Sequence, residues 1–236
     1  MIALLYLSSL GHFVFAHPDH AAYDQTMKSD VLKWYIPRVL TAPTIDGYLM
    51  DSCWSGIKGI RGFTKVEKQG GGTSVRSTTV YGVYDADAIY FVFECIEPQI
   101  SRRVARFRAK DSRVFMDDCI EVYLDTSHDH NNYYQFVVNT LNGQYDATGP
   151  FPNCVWDGKW ESAVAIFKDR YIIELSIPFS TLKTETPKPY EVWGGNVFRQ
   201  VWIPGAEEWS GWSPTRRYFH EPGYFGHLIF APEPIP

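Results

Sequence analysis

Apolar and polar residues alternate with a period of two through run after run of this chain, and no stretch carries the 3.6-residue period of a long helix. Successive side chains of a strand point to opposite faces, so this pattern restricts the chain to sheet architectures. Strands are expected over Thr78–Tyr84, Ala88–Ile96, Cys119–Asp125, 133–140, 163–167, 171–177, 197–203 and 226–230. Turn residues separate them: Asp85-Ala86-Asp87, the polar stretch 126–132, and Asp169-Arg170. Pro178 has no N–H for a ladder and closes its strand. Many short strands at this spacing predict an all-β, antiparallel β-sandwich or barrel. A length of 236 residues suits one such domain and a core that needs no disulfide.

One hairpin shows which residues share a face. Ile120, Val122 and Leu124 alternate with Glu121 and Tyr123, and Tyr134, Phe136 and Val138 alternate with Gln135, Val137 and Asn139. Antiparallel pairing puts the apolar sets together on the core side. Glu121, Tyr123, Gln135 and Asn139 then share the outer face, where a carboxylate, a phenol and two amides offer the donors and acceptors a hydroxyl-rich ligand requires. Aromatics make up 16% of the chain, which suits both strands and stacking surfaces. A net charge of −5 with scattered basic residues excludes a nucleic-acid footprint, and the cluster Arg102, Arg103, Arg106 and Arg108 reads as a solvated face.

Residues 1–16 are apolar, too short for a comfortable bilayer span, and end in Val14-Phe15-Ala16, as a secretory signal peptide does. The expected organisation is a signal peptide over 1–16, a polar leader over 17–36 and the sandwich over 37–236. The product is secreted or periplasmic, and no later run is long enough for a membrane helix. Cys53, Cys95, Cys119 and Cys154 form no CxxC; their even number permits two disulfides, and the strand context of Cys95 and Cys119 equally suits buried thiols. No Rossmann, P-loop, GxSxG, HExxH or EF-hand signature is present. No cofactor is required; a structural calcium ion is the metal to consider, with Asp118, Asp125, Asp129 and Asp146 as unassigned ligands. His128-Asp129-His130 reads as a solvated loop.

Several ordered motifs now join. Pro43-Thr44-Ile45-Asp46-Gly47 precedes Trp54; Val83-Tyr84-Asp85 precedes Ile89-Tyr90-Phe91-Val92. Asp118 to Asp125 reads D-C-I-E-V-Y-L-D, Gln135 to Asn139 reads Q-F-V-V-N, and Tyr171 to Pro178 reads Y-I-I-E-L-S-I-P. Gly211-Trp212-Ser213 and Phe225-Gly226 close the set. Together they resemble the family 9 carbohydrate-binding modules and their standalone relatives, from about Pro43 to Phe230. The resemblance implies a jelly-roll-like sandwich and non-catalytic binding of a polysaccharide or oligosaccharide of the glucan or xylan type between two aromatic rings. It assigns the rings to Phe115 and Trp212, the binding carboxylate to Glu121 and its amide to Asn139; the alternation adds Gln135. Trp202 and Trp209 are alternative rings, with Trp202 expected in the core by its strand period. Carbohydrate-active enzymes are the implied partners. The family's arginine in Q-F-R-V-N is Val137 here, so a guanidinium must come from Arg199 or Arg113, or the specificity differs or binding is lost. Two rival readings remain. One is a haem b electron-transfer domain with Met116 and His220 or His227 as axial ligands. The other is a glycan-active enzyme, either a glycosidase or a copper monooxygenase using His17.

Overall fold

The computed structural model describes residues 31–150 and 153–232. The expected signal peptide, and His17 with it, lie outside these residues. Among these residues twelve strands form two sheets: β1 Lys33–Pro37, β2 Thr64–Lys65, β3 Thr78–Tyr84, β4 Ala88–Ile96, β5 Cys119–Asp125, β6 Tyr134–Asn139, β7 Gln144–Thr148, β8 Glu161–Ile166, β9 Arg170–Pro178, β10 Val192–Val201, β11 Glu208–Gly211 and β12 Gly226–Ala231. The larger sheet has the order β1-β12-β10-β5-β6-β7, with β11 bridging β10 and β2. The smaller has the order β3-β4-β9-β8. Every pairing is antiparallel except β1 with β12. This is the expected antiparallel β-sandwich.

The hairpins β3–β4, β5–β6 and β8–β9 form as the alternation predicts. Ile120, Val122, Leu124, Phe136 and Val138 are fully buried between the sheets with Val80, Phe91, Phe93, Ile173 and Leu175 of the smaller sheet. Each such side chain contributes roughly 1.5–3 kcal/mol by leaving water. Two of the quoted motifs meet on the outer face of the smaller sheet. Glu174 Oε2 accepts the amides of Asp46 at 2.8 Å and Gly47 at 2.7 Å, which pins the Ile45-Asp46-Gly47 loop against β9. Gly47 sits at φ +87°, and a Cβ there would lie 2.7 Å from the Ala165 amide nitrogen, so only glycine fits.

Several expectations are corrected. The leader expected to reach Ile36 ends earlier, because β1 starts at Lys33 and pairs in parallel with β12. Strands β1, β2, β7 and β11 carry little local period and owe their state to partners far along the chain. The outer face of β5 and β6 is not open to solvent: Glu121, Tyr123, Gln135 and Asn139 are all at most 4% exposed. Segments carrying Phe107, Phe115, Phe219 and Phe225 pack over it. The four cysteines are free thiols, two of them buried in strands.

Candidate functional site

The covered face of the larger sheet opens into a pocket. A pocket of about 470 Å³ is lined by Phe115, Met116, Glu121, Tyr123, Gln135, Tyr145, Gln200, Trp202, Trp209, Tyr218, Phe219 and His220. Strand parity brings its floor together. Glu121 lies opposite Phe198 on β10, one side, and next to the Tyr123–Gln135 pair on the other. Gln200 shares the parity of Phe198, so its amide reaches the same face.

Glu121 is the centre of the floor. Its Oε2 accepts the Tyr123 hydroxyl at 2.8 Å and Gln135 Nε2 at 2.7 Å, and its Oε1 accepts Gln200 Nε2. A carboxylate only accepts, so both amides must turn their nitrogens toward it. The Tyr123 proton is thereby committed, and its oxygen accepts from His220 Nε2 at 3.3 Å. His220 Nδ1 then accepts the Tyr133 hydroxyl at 2.8 Å. The relay Tyr133, His220, Tyr123, Glu121 thus points every donor toward the carboxylate. Burial pushes the Glu121 carboxyl up, while the three hydrogen bonds pull it back. Desolvation of its inward-turned nitrogens pushes His220 down to about 4, although the outer part of the residue stays exposed.

The walls are aromatic. Trp202 and Trp209 are half-buried, with ring centroids 5.6 Å apart. Trp202 Nε1 donates to the Phe115 carbonyl and to Gln200 Oε1, both at 3.1 Å, which locks that wall to the floor. Phe115 packs edge-on to Tyr145 at 5.4 Å. Trp209 Nε1 is buried without a hydrogen-bond partner among the described residues, so a ligand oxygen there would satisfy a donor that otherwise carries a desolvation cost.

Asp118 Oδ1 accepts the Trp202 amide at 2.6 Å and so anchors the Trp202 backbone where β10 ends. Burial pushes Asp118 up to about 6. A carboxyl raised in the folded state favours folding below its ordinary value and loses that contribution as pH rises through about 6. Asp118→Asn should therefore flatten the fall in stability between about pH 4 and 6 by on the order of 2 kcal/mol, read by urea titration of both proteins across that range.

The sequence-predicted residues divide. Phe115, Glu121 and Gln135 line the pocket. Asn139 does not: its Nδ2 donates to the Phe107 carbonyl at 2.6 Å and to Asp117 at 2.9 Å, and its Oδ1 accepts the Gly143 amide at 2.8 Å. It ties the covering loop to the sheet. Trp212 is the larger correction. It is 5% exposed, packs edge-on to Trp34 at 5.8 Å and belongs to the core between the sheets. Trp202, expected in the core, lines the pocket instead. Neither proposed guanidinium reaches it. Arg199 is buried on the opposite face with Glu97 at 3.1 Å, Arg113 is exposed and is not among the lining residues, and Val137 packs under Phe115 and Tyr145.

Other sites are weaker. A larger cleft of about 770 Å³, beside Arg76, Glu97 and Glu207, has no aromatic lining. Among the described residues no three carboxylate, imidazole or thiol groups gather as a metal site. Asp146, one of the candidate calcium ligands, is occupied by Trp160 Nε1 at 2.8 Å, the Gly158 amide at 3.1 Å and Lys110 at 3.3 Å. Met116 and His220 share the pocket, but both His220 nitrogens are engaged by tyrosine hydroxyls, which does not suit a haem ligand.

Comparison with known proteins places the fold. The family model described as "Carbohydrate family 9 binding domain-like" matches residues 45–231. The chain is 27% identical over 217 residues to an endo-1,4-beta-xylanase A of Thermotoga maritima, covering 86% of this chain but 19% of that protein. The chain therefore spans about a fifth of the length of that relative. Among solved structures, a family 9 carbohydrate binding module from Caldicellulosiruptor kristjanssonii in complex with glucose superposes with a TM-score of 0.66 at 16% identity, covering 87% of this chain and 98% of that one. The same organism's module in complex with cellotriose gives 0.64 at 16% identity, with the same coverage of both chains.

Proposed function

Because the chain belongs to the carbohydrate family 9 binding domain-like family, we propose that it binds the end of a polysaccharide or oligosaccharide in the pocket floored by Glu121. The observation that carries this reading is the combination in one pocket of aromatic walls with a polar floor that hydrogen bonds hold in place. Sugar rings stack their C–H faces on aromatics and present equatorial hydroxyls to planar polar groups. Phe115, Trp202, Trp209 and Tyr218 supply the rings. Gln135, Gln200 and Trp209 Nε1 supply polar contacts, and Glu121 fixes both amides in place.

The module is non-catalytic in this proposal. Glu121 is the one carboxylate among the lining residues, whereas glycoside hydrolysis uses two flanking the bond. The relative's name and the module complexes support a glucan or xylan ligand and a working partnership with carbohydrate-active enzymes. Calorimetric titration with glucose, cellotriose and xylotriose tests the reading. Saturable binding to at least one is expected, with no product released on prolonged incubation. Absence of binding to all three, together with intact folding, would count against it.

A further inference from the structure

The floor of the pocket carries a carboxyl group that only neutral side chains hold. Three buried carboxylates have cations, since Glu97 meets Arg76 at 2.7 Å and Arg199 at 3.1 Å, Asp117 meets Arg106 at 3.0 Å, and Asp146 meets Lys110 at 3.3 Å, whereas Asp125, Glu174 and Glu208 are held by neutral donors away from this pocket. Glu121 is 1% exposed and has two amides and a phenol instead. No lysine or arginine lines the pocket. Removing a carboxylate from water without a counter-charge is costly, and hydrogen bonds from neutral donors offset only part of that.

The direction of those bonds shapes what the pocket offers. Gln135 and Gln200 each turn one N–H of their amide toward Glu121, so their carbonyl oxygens face away from it. Gln200 Oε1 already accepts from Trp202, which leaves Gln135 Oε1 and the remaining lone pair of Glu121 Oε1 as acceptors. The surrounding rings present faces of negative partial charge, which attract cations within about 6 Å. A donor with positive charge answers both the acceptors and the rings. A ligand carboxylate is repelled by both and meets only neutral donors here, such as Trp209 Nε1.

Building on the carbohydrate reading above, we propose that this pocket selects by charge. It takes an amino sugar bearing a free ammonium, of the glucosamine type, ahead of the neutral sugar of the same ring shape, and it rejects uronic acids. The ammonium sits on the acceptor side of the floor, within reach of Glu121, while the ring stacks on the aromatic wall. No covalent step is involved.

Calorimetric titration of the full chain with glucosamine, glucose, N-acetylglucosamine and glucuronate tests this. At about pH 7 an ordinary amine is still mostly protonated and an ordinary imidazole mostly neutral. Charge-assisted hydrogen bonds are roughly twice as strong as neutral ones, so glucosamine should bind roughly ten-fold tighter than glucose. Glucuronate should be the weakest of the four. Glu121→Gln, with its melting curve recorded alongside, should reduce the glucosamine preference to near unity. The comparison of sugars on the unaltered protein stands without that variant. Equal or tighter binding of glucose overturns the charge selection and leaves the carbohydrate reading standing. So does N-acetylglucosamine binding as well as glucosamine, since it carries no charge. Failure of all four sugars, and of glucose and glucosamine β-1,4 dimers, overturns both.

Discussion

Trp212→Ala should lower stability by about 3–5 kcal/mol and leave sugar affinity per folded molecule unchanged. The ring is 5% exposed and fills the space between the sheets against Trp34. Its removal loses the transfer free energy of a large apolar group and leaves a cavity the two sheets cannot close. Gly226 reports the same tight packing from the other side: a Cβ there would lie 2.5 Å from Cη2 and Cζ3 of the indole. For a chain of this size the loss corresponds to a fall in Tm of roughly 6–20 °C. Thermal unfolding followed by near-ultraviolet circular dichroism measures it. Calorimetric titration well below the transition supplies the second half. If affinity collapses while Tm holds, Trp212 belongs to the binding site and its assignment to the core is wrong.

Trp202→Ala should do the reverse. The indole is half-buried, lines the pocket and is held by hydrogen bonds to the Phe115 carbonyl and Gln200 Oε1. Its removal takes away a stacking surface and frees Gln200 from one of the contacts that orient it. Central aromatic contacts of this kind are worth about 2 kcal/mol or more, a loss of roughly 30-fold or more in affinity. Stability should fall far less than in the Trp212 variant, because the ring makes no contact between the sheets. Trp209→Ala gives a parallel test of the neighbouring ring. Unaltered affinity in both variants would move the sugar away from this pocket.

The two tryptophans also separate the kinds of information the chain carries. The hairpins β3–β4, β5–β6 and β8–β9, and the core-facing set Ile120, Val122, Leu124, Phe136 and Val138, were legible without any structure. Period-two alternation is a local property, and register follows once one face is apolar. The same parity placed Glu121, Tyr123 and Gln135 on one face. The motif order added the family and Phe115.

Exposure was not legible, because it depends on what packs onto a face from far along the chain. The face that alternation leaves polar is covered by Phe107, Phe115, Phe219 and Phe225. Asn139 therefore serves the covering loop and not the pocket. Trp212 sits among Ser, Gly and Pro, as a loop residue does, yet the bond from its amide to the Val197 carbonyl and the close approach of Gly226 turn it inward. Gln200 and Trp202 enter the site through the pairing of β10 with β5 and through the Asp118 bond to the Trp202 amide. The sequence alone determined which side chains share a face, since that follows from backbone geometry residue by residue. Only the tertiary structure decided which of those faces a ligand can reach, since that is set by contacts between segments distant in the sequence.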